Sequence, residues 1–184
     1  MPIIIDATVG GTSSNSYVTL AEANDFFIHS TNVLLWTPAT DEVKKAALVE
    51  ATRDIDTYFE WVGLISNVNQ ALSWPRKLTD FRGSEYGYTE VGYGYQLDTN
   101  PADGTIPQII KEATCKLALK LVSGGYRIED ANIDELKVGP IGIKFSKNFK
   151  TSGFPKEIIE MLLRIGIFIV SGNNKLKIHK LSRT

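Results

Sequence analysis

Gln70-Ala71-Leu72-Ser73-Trp74-Pro75-Arg76 is the stretch around which the rest of the chain is organised. Trp74 brings a large apolar surface. Pro75 fixes its own φ and biases Trp74 towards an extended backbone. Arg76 adds a guanidinium fork that can donate to several oxygens at once. A Trp followed by Pro is a docking element. Its place between two helical segments favours docking inward, which would pin the linker to a helical bundle and leave Arg76 for carbonyls or an acid.

Helical signals lie on both sides. Thr19-Leu20-Ala21-Glu22 has the spacing of a capping box, so a helix is expected from there to about Ser30, with Leu20, Ala23, Phe26 and Phe27 on its apolar face. Residues 32–39 connect it, through Trp36 and Pro38, to a second helix capped by Thr40 or Asp41 and running to about Phe59 or Trp61. Val43, Ala47, Ala51, Ile55 and Phe59 mark its buried face, and Gly63 follows as a stop. Pro107 opens a third helix striped by Ile110, Ala113, Leu117 and Leu121 and ended by Gly124-Gly125. Lys137 to Phe145 alternates after Gly139-Pro140, which predicts a half-buried strand or one arm of a hairpin. Pro155 opens a fourth helix carrying Ile158, Leu162, Ile165 and Ile169, with Ile159, Leu163 and Ile167 on its other side. A helix apolar nearly all round is expected to be buried on more than one side, against a neighbouring subunit as well as the home core. The expected fold is therefore mainly α: about four helices in a bundle, a small β-strand or hairpin element, and extended arms at both ends.

Two stretches fall outside the helical pattern. Residues 77–104 form an insertion rich in Gly and Tyr, with Tyr86, Tyr88, Tyr93 and Tyr95. Rigid aromatics on an adaptable backbone suit a contact surface; a plain surface insertion is the other reading. Residues 1–172 read as the helical domain and 173–184 as a basic tail. In that tail Leu176, Ile178 and Leu181 alternate with Lys177, His179 and Lys180, the pattern of a strand that docks on a partner; a frayed terminus is the alternative.

Composition excludes several functions. The 184 residues carry a formal charge of −1, with no global nucleic-acid footprint. Lys175, Lys177, Lys180 and Arg183 sit in an acid-free end, so the other 170 residues hold all 21 acids against 16 bases. Cys115 is the single cysteine and reads as a buried apolar side chain, in keeping with a reducing, intracellular setting. One Cys and two distant histidines, His29 and His179, supply no local metal motif, and no phosphate-cradling Gly loop is present. No nucleophile elbow occurs, and Asp54 and Asp56 read as solvated surface acids. No apolar run approaches a membrane span of ~20 residues. The expectation is a protein without cofactor, metal or catalytic activity. Trp74 with Arg76 and the four tyrosines could stack on single-stranded bases, although residues 62–106 hold more acids than bases.

An ordered series of motifs resembles a known family. It comprises Asn15-Ser16-Tyr17-Val18-Thr19-Leu20-Ala21-Glu22-Ala23, the helix through Ala46 to Arg53, the Trp74-Pro75-Arg76 box, and Ile106-Pro107 opening a helix. The series resembles tailed-bacteriophage proteins labelled DnaT-like single-stranded DNA-binding proteins. Together with Lys137-Val138-Gly139-Pro140-Ile141 and the helix after Pro155, the layout also resembles head–tail adaptor (connector) proteins. The adaptor resemblance implies a virion protein at the head–tail junction: a ring of subunits, usually twelve, bound to the portal protein and to tail or neck proteins, with DNA passing through the lumen and no membrane contact. In that reading the tail Leu176–Leu181 docks on the portal or a neighbour, the tyrosines contact tail proteins or a protomer, and Trp74, Pro75 and Arg76 are a structural signature. The family label implies the alternative, a single-stranded DNA-binding replication accessory protein.

Overall fold

The eighteen-residue helix α3 (Asp41–Tyr58) is the spine of the molecule. The Thr40 hydroxyl accepts the Val43 amide and starts it, and Asp41 and Glu42 suit its positive end. Around it lie α1 (Leu20–Ile28), the single turn α2 (Val33–Trp36), α4 (Gln108–Val122) and α5 (Lys156–Leu162). The structure is a computed structural model that describes residues 2–61, 64–77, 104–124, 131–132, 135–138, 141–144, 150–151, 154–163 and 165–168. The fold is mainly α, as expected, with short strands added at the periphery.

Leu48, Ala51 and Ile55 of α3 and Ile110, Ala113 and Leu117 of α4 are all buried in one core, where the two helices pack together. Complementary stripes of large and small side chains allow the two helices to approach closely. Val43 departs from the expected stripe. It is 48% exposed, and its neighbour Lys44 is buried instead, with Nζ 5.6 Å from the centre of the Trp36 ring. The apolar stem of Lys44 covers core while the ammonium meets the aromatic face.

Among the described residues, six short strands lie in three two-stranded pieces. They are β1 (Phe59–Trp61) with β8 (Gly166–Phe168), β2 (Leu64–Ile65) with β3 (Arg76–Lys77), and β4 (Ala131–Asn132) with β7 (Lys150–Thr151). A fourth piece, β5 (Glu135–Val138) with β6 (Ile141–Lys144), is the expected hairpin, closed by the pair Val138↔Ile141.

Two expectations about the helix ends change. α3 stops at Tyr58 because Phe59 turns to φ −124°, ψ 134° and enters β1. The fourth helix ends at Leu162, far short of Ile169, and residues 166–168 pair with β1 in the register Phe59↔Phe168. Gly166 favours the break, and the ladder then uses the β-forming pair Ile167-Phe168. Ile158, Ile159 and Leu162 are buried within this chain alone. The helix that seemed to need a neighbouring subunit is thus satisfied at home.

Residues 2–16 are not an arm reaching outward. The Ile3 amide donates to Glu42 Oε2 at 2.8 Å, Asp6 and Asn15 exchange hydrogen bonds, and the Ala71 amide donates to the Gly11 carbonyl at 3.0 Å. Gly10, at φ +68°, brings the strap against the Pro75 ring. The N-terminal segment therefore runs from the start of α3 to the Trp-Pro box.

Candidate functional site

Thr52 and Asp56 stand one turn apart on α3 and both hold Tyr17. The Tyr17 amide donates to Thr52 Oγ1 at 3.2 Å, and the Tyr17 hydroxyl donates to Asp56 Oδ1. The other carboxylate oxygen, Oδ2, accepts the Ser73 amide at 2.9 Å. One carboxylate thus fastens the strap before α1 and the Trp-Pro box to the last turns of α3. The reading of Asp56 as a solvated surface acid is corrected: it lies in the joint between three segments. Burial pushes its carboxyl above the ordinary 3.8, against the opposing pull of the Tyr17 and Ser73 hydrogen bonds. Burial, with the Asp56 charge behind it, pushes the Tyr17 phenol well above its ordinary value.

The box is held through both backbone polar groups of Ser73. Its N–H goes to Asp56, and its C=O accepts Arg76 Nη1 at 3.1 Å. Gln70 staples the turn, donating from Nε2 to the Leu72 carbonyl at 2.7 Å and to the Pro75 carbonyl at 3.1 Å. The Trp74–Pro75 peptide bond is cis. Trp74 is 1% exposed and sits edge-on to Trp61, with ring centres 5.8 Å apart. Trp61 in turn stacks on Phe59 at 5.4 Å, and Phe59 meets Phe154 edge-on at 5.7 Å. Inward docking is therefore what the box does. It identifies the core joint, and its indole cannot stack on a base.

Trp61 and Arg76 form the rim of this joint. Trp61 is half-buried, and its indole N–H is inside, without a hydrogen-bond partner among the described residues. Its exposed part is thus not its polar tip. Arg76 is half-buried in β3, opposite Ile65 of β2. Burial lowers the guanidinium below its ordinary value, while the Tyr17 and Asp56 charges hold it up. Leu64, Ile65 and Val68, at 58%, 43% and 84% exposure, extend the rim with apolar surface. The joint thus carries an aromatic ring, a guanidinium and exposed apolar side chains, chemistry suited to a planar, anionic ligand.

The other sequence-derived sites fare differently. Tyr86, Tyr88, Tyr93 and Tyr95 lie outside the described residues, as do Leu176, Lys177, Ile178, His179, Lys180 and Leu181. Trp61 was passed over because it reads as the end of a helix. Asp56 was passed over because its partners lie 39 and 17 residues away. Elsewhere, a cleft of about 570 Å³ runs between α1 and α4, lined by Glu22, Asp25, His29, Lys111 and Glu112 among others. Lys111 bridges it to Glu22 at 2.6 Å. Cys115 lines its floor with its thiol pushed up to about 12 by burial, so it is no nucleophile. Among the described residues no group of His, Cys, Asp and Glu could hold a metal ion, and no helix is long and apolar enough to cross a membrane.

A family model described as "Putative DnaT-like ssDNA binding protein" matches residues 1–183. No curated protein and no solved structure matches the chain. The match overturns the expectation of a head–tail adaptor in a virion, with a portal, tail proteins and a twelve-membered ring as partners and DNA as mere passing cargo. It points to single-stranded DNA in their place. The structure also removes two features that had favoured a ring, because α5 is buried in its own core and the N-terminal segment is bound to its own α3.

Proposed function

The chain belongs to the DnaT-like ssDNA-binding family, and from that premise we propose that it is a single-stranded DNA-binding accessory protein of replication, without catalytic activity. The observation that carries this reading is the family match along residues 1–183. The Trp61 ring and the Arg76 guanidinium at the rim of the joint support it. A base stacks on the exposed part of Trp61, and Arg76 meets the adjoining phosphate. Unstacked bases are available in single strands and enclosed in duplexes, so single strands are preferred. The body is acidic, and further phosphate contacts come from the acid-free sequence end with Lys175, Lys177, Lys180 and Arg183.

The test is fluorescence anisotropy of a labelled oligothymidylate titrated with the protein over a range of salt. The expected result is binding that weakens with salt, log K falling by roughly 0.7 per phosphate contact for each tenfold rise in salt. Trp61→Ala should weaken binding by about tenfold or more, since one base–aromatic stack is worth ~1–3 kcal/mol. Absence of binding at low salt would sink the proposal.

A further inference from the structure

We infer that Asp56 is the positioning residue of the Trp61–Arg76 surface, acting on Arg76 through the backbone of Ser73, whose N–H and C=O belong to two successive peptides. This rests on the DNA-binding reading above and adds a residue that touches no DNA in it. Asp56 grips the Ser73 amide at 2.9 Å, and the carbonyl of the same residue accepts the Arg76 guanidinium at 3.1 Å. The charge on one side of Ser73 is thereby transmitted to the aim of the charge on the other. The next residue, Trp74, is the buried ring against which Trp61 rests. The carboxylate also stands within electrostatic reach of Arg76.

The geometry separates two roles of the same carboxylate. Oδ1 is engaged by Tyr17 and secures the strap; Oδ2 is engaged by Ser73 and aims the rim. Replacing Asp56 by Asn keeps the shape but removes the charge and leaves at most one acceptor oxygen for two donors. The backbone at Ser73 is then held less firmly, and the carbonyl that accepts Arg76 Nη1 shifts with it. Tyr17→Phe leaves Oδ2 and Ser73 in place, so the strap loosens while Arg76 keeps its aim.

The experiment compares wild type, Asp56→Asn, Asp56→Glu and Tyr17→Phe in oligothymidylate binding across a salt series. Urea unfolding monitors the folded fraction of each. A purely structural defect lowers the active fraction and leaves the salt slope unchanged, whereas loss of one aimed cation lowers the slope by roughly 0.7. Asp56→Asn is expected to weaken binding by about tenfold and to lower the slope, with Tyr17→Phe keeping the wild-type slope. Asp56→Glu, which keeps the charge one methylene away, is expected to fall between and serves if Asp56→Asn does not fold. A wild-type slope in a folded Asp56→Asn, or in Asp56→Glu when Asp56→Asn is unfolded, would overturn the role of Asp56 while leaving DNA binding intact. Absence of binding by wild type itself overturns the DNA-binding reading and this inference with it.

Discussion

Asp56 and Glu22 are both carboxylates at joints between distant segments, yet their surroundings set them in opposite directions. Glu22 completes the capping box of α1: it accepts the Thr19 amide at 2.7 Å, and the Thr19 hydroxyl accepts its amide at 3.1 Å. Its other oxygen takes Lys111 of α4 at 2.6 Å. Burial acts to raise its carboxyl, but Lys111 and Thr19 outweigh that, and it lies below the ordinary 4.5. Asp56 also joins two distant segments but sits deeper, and there burial prevails over the hydrogen bonds that oppose it. The difference teaches that hydrogen-bond number alone does not set the acid strength of a joint. The depth of water around it does.

The largest expected effect lies on the Asp56 side. Trp74→Ala should cost about 3–5 kcal/mol in urea unfolding, because it empties the apolar space behind the joint. A loss under about 1 kcal/mol would show that the box is not part of the core. Asp56→Ala comes next, at about 2–4 kcal/mol, since it leaves the Tyr17 hydroxyl and the Ser73 amide without acceptors in a buried site. At the shallower joint, Glu22→Ala should cost only about 1 kcal/mol, the worth of a cap with a solvent-screened ion pair. Equal losses at Asp56 and Glu22 would erase the distinction.

The smallest effect, in pH, is the sharpest in sign. The native carboxyl of Asp56 lies above its unfolded value, so the native state binds the proton first. Relative to Asp56→Asn, wild type should gain stability as pH falls from neutrality towards 3.8. Glu22 works the other way. Its contribution is present above 4.5 and is lost as pH falls through the lower native value, so the advantage of wild type over Glu22→Gln should shrink in acid. Chemical denaturation at a series of pH values reads both, and slopes of one sign for the two residues would refute the assignment.

Much of this was legible from residues alone, and the reason is range. The capping box of Thr19 and Glu22 is complete within four residues, and the Ile110–Ala113–Leu117 stripe within eight. The inward turn of Trp74 followed from its place between helices, and it is the buried ring of the joint. What escaped was set by partners far away in the chain. Asp56 looks like any surface acid of an amphipathic helix until Tyr17 and Ser73 are brought to it. One signal was available: Leu48, Thr52 and Asp56 form an i, i+4 row along the edge of the apolar stripe, where a solvated face would not begin with a buried leucine. The end of α5 escaped too, because a run such as Ile165-Gly166-Ile167-Phe168 suits either structure until β1 offers a ladder. Trp61, the half-buried ring of the candidate site, was hidden by the same strand.

The pairing of β1 with β8 also bears on how the chain folds. Phe59 and Phe168 are neighbours across a ladder, although about a hundred residues separate them. Closing so long a loop is slow compared with forming the α3–α4 contact, so the ladder is expected to be among the last elements to form. Its entropic cost grows only with the logarithm of the loop, by about 0.6 kcal/mol for each doubling. Lengthening or shortening the Tyr- and Gly-rich insertion therefore changes the closure free energy little. A change in the length of that stretch is expected to leave the ladder that carries Trp61 in place.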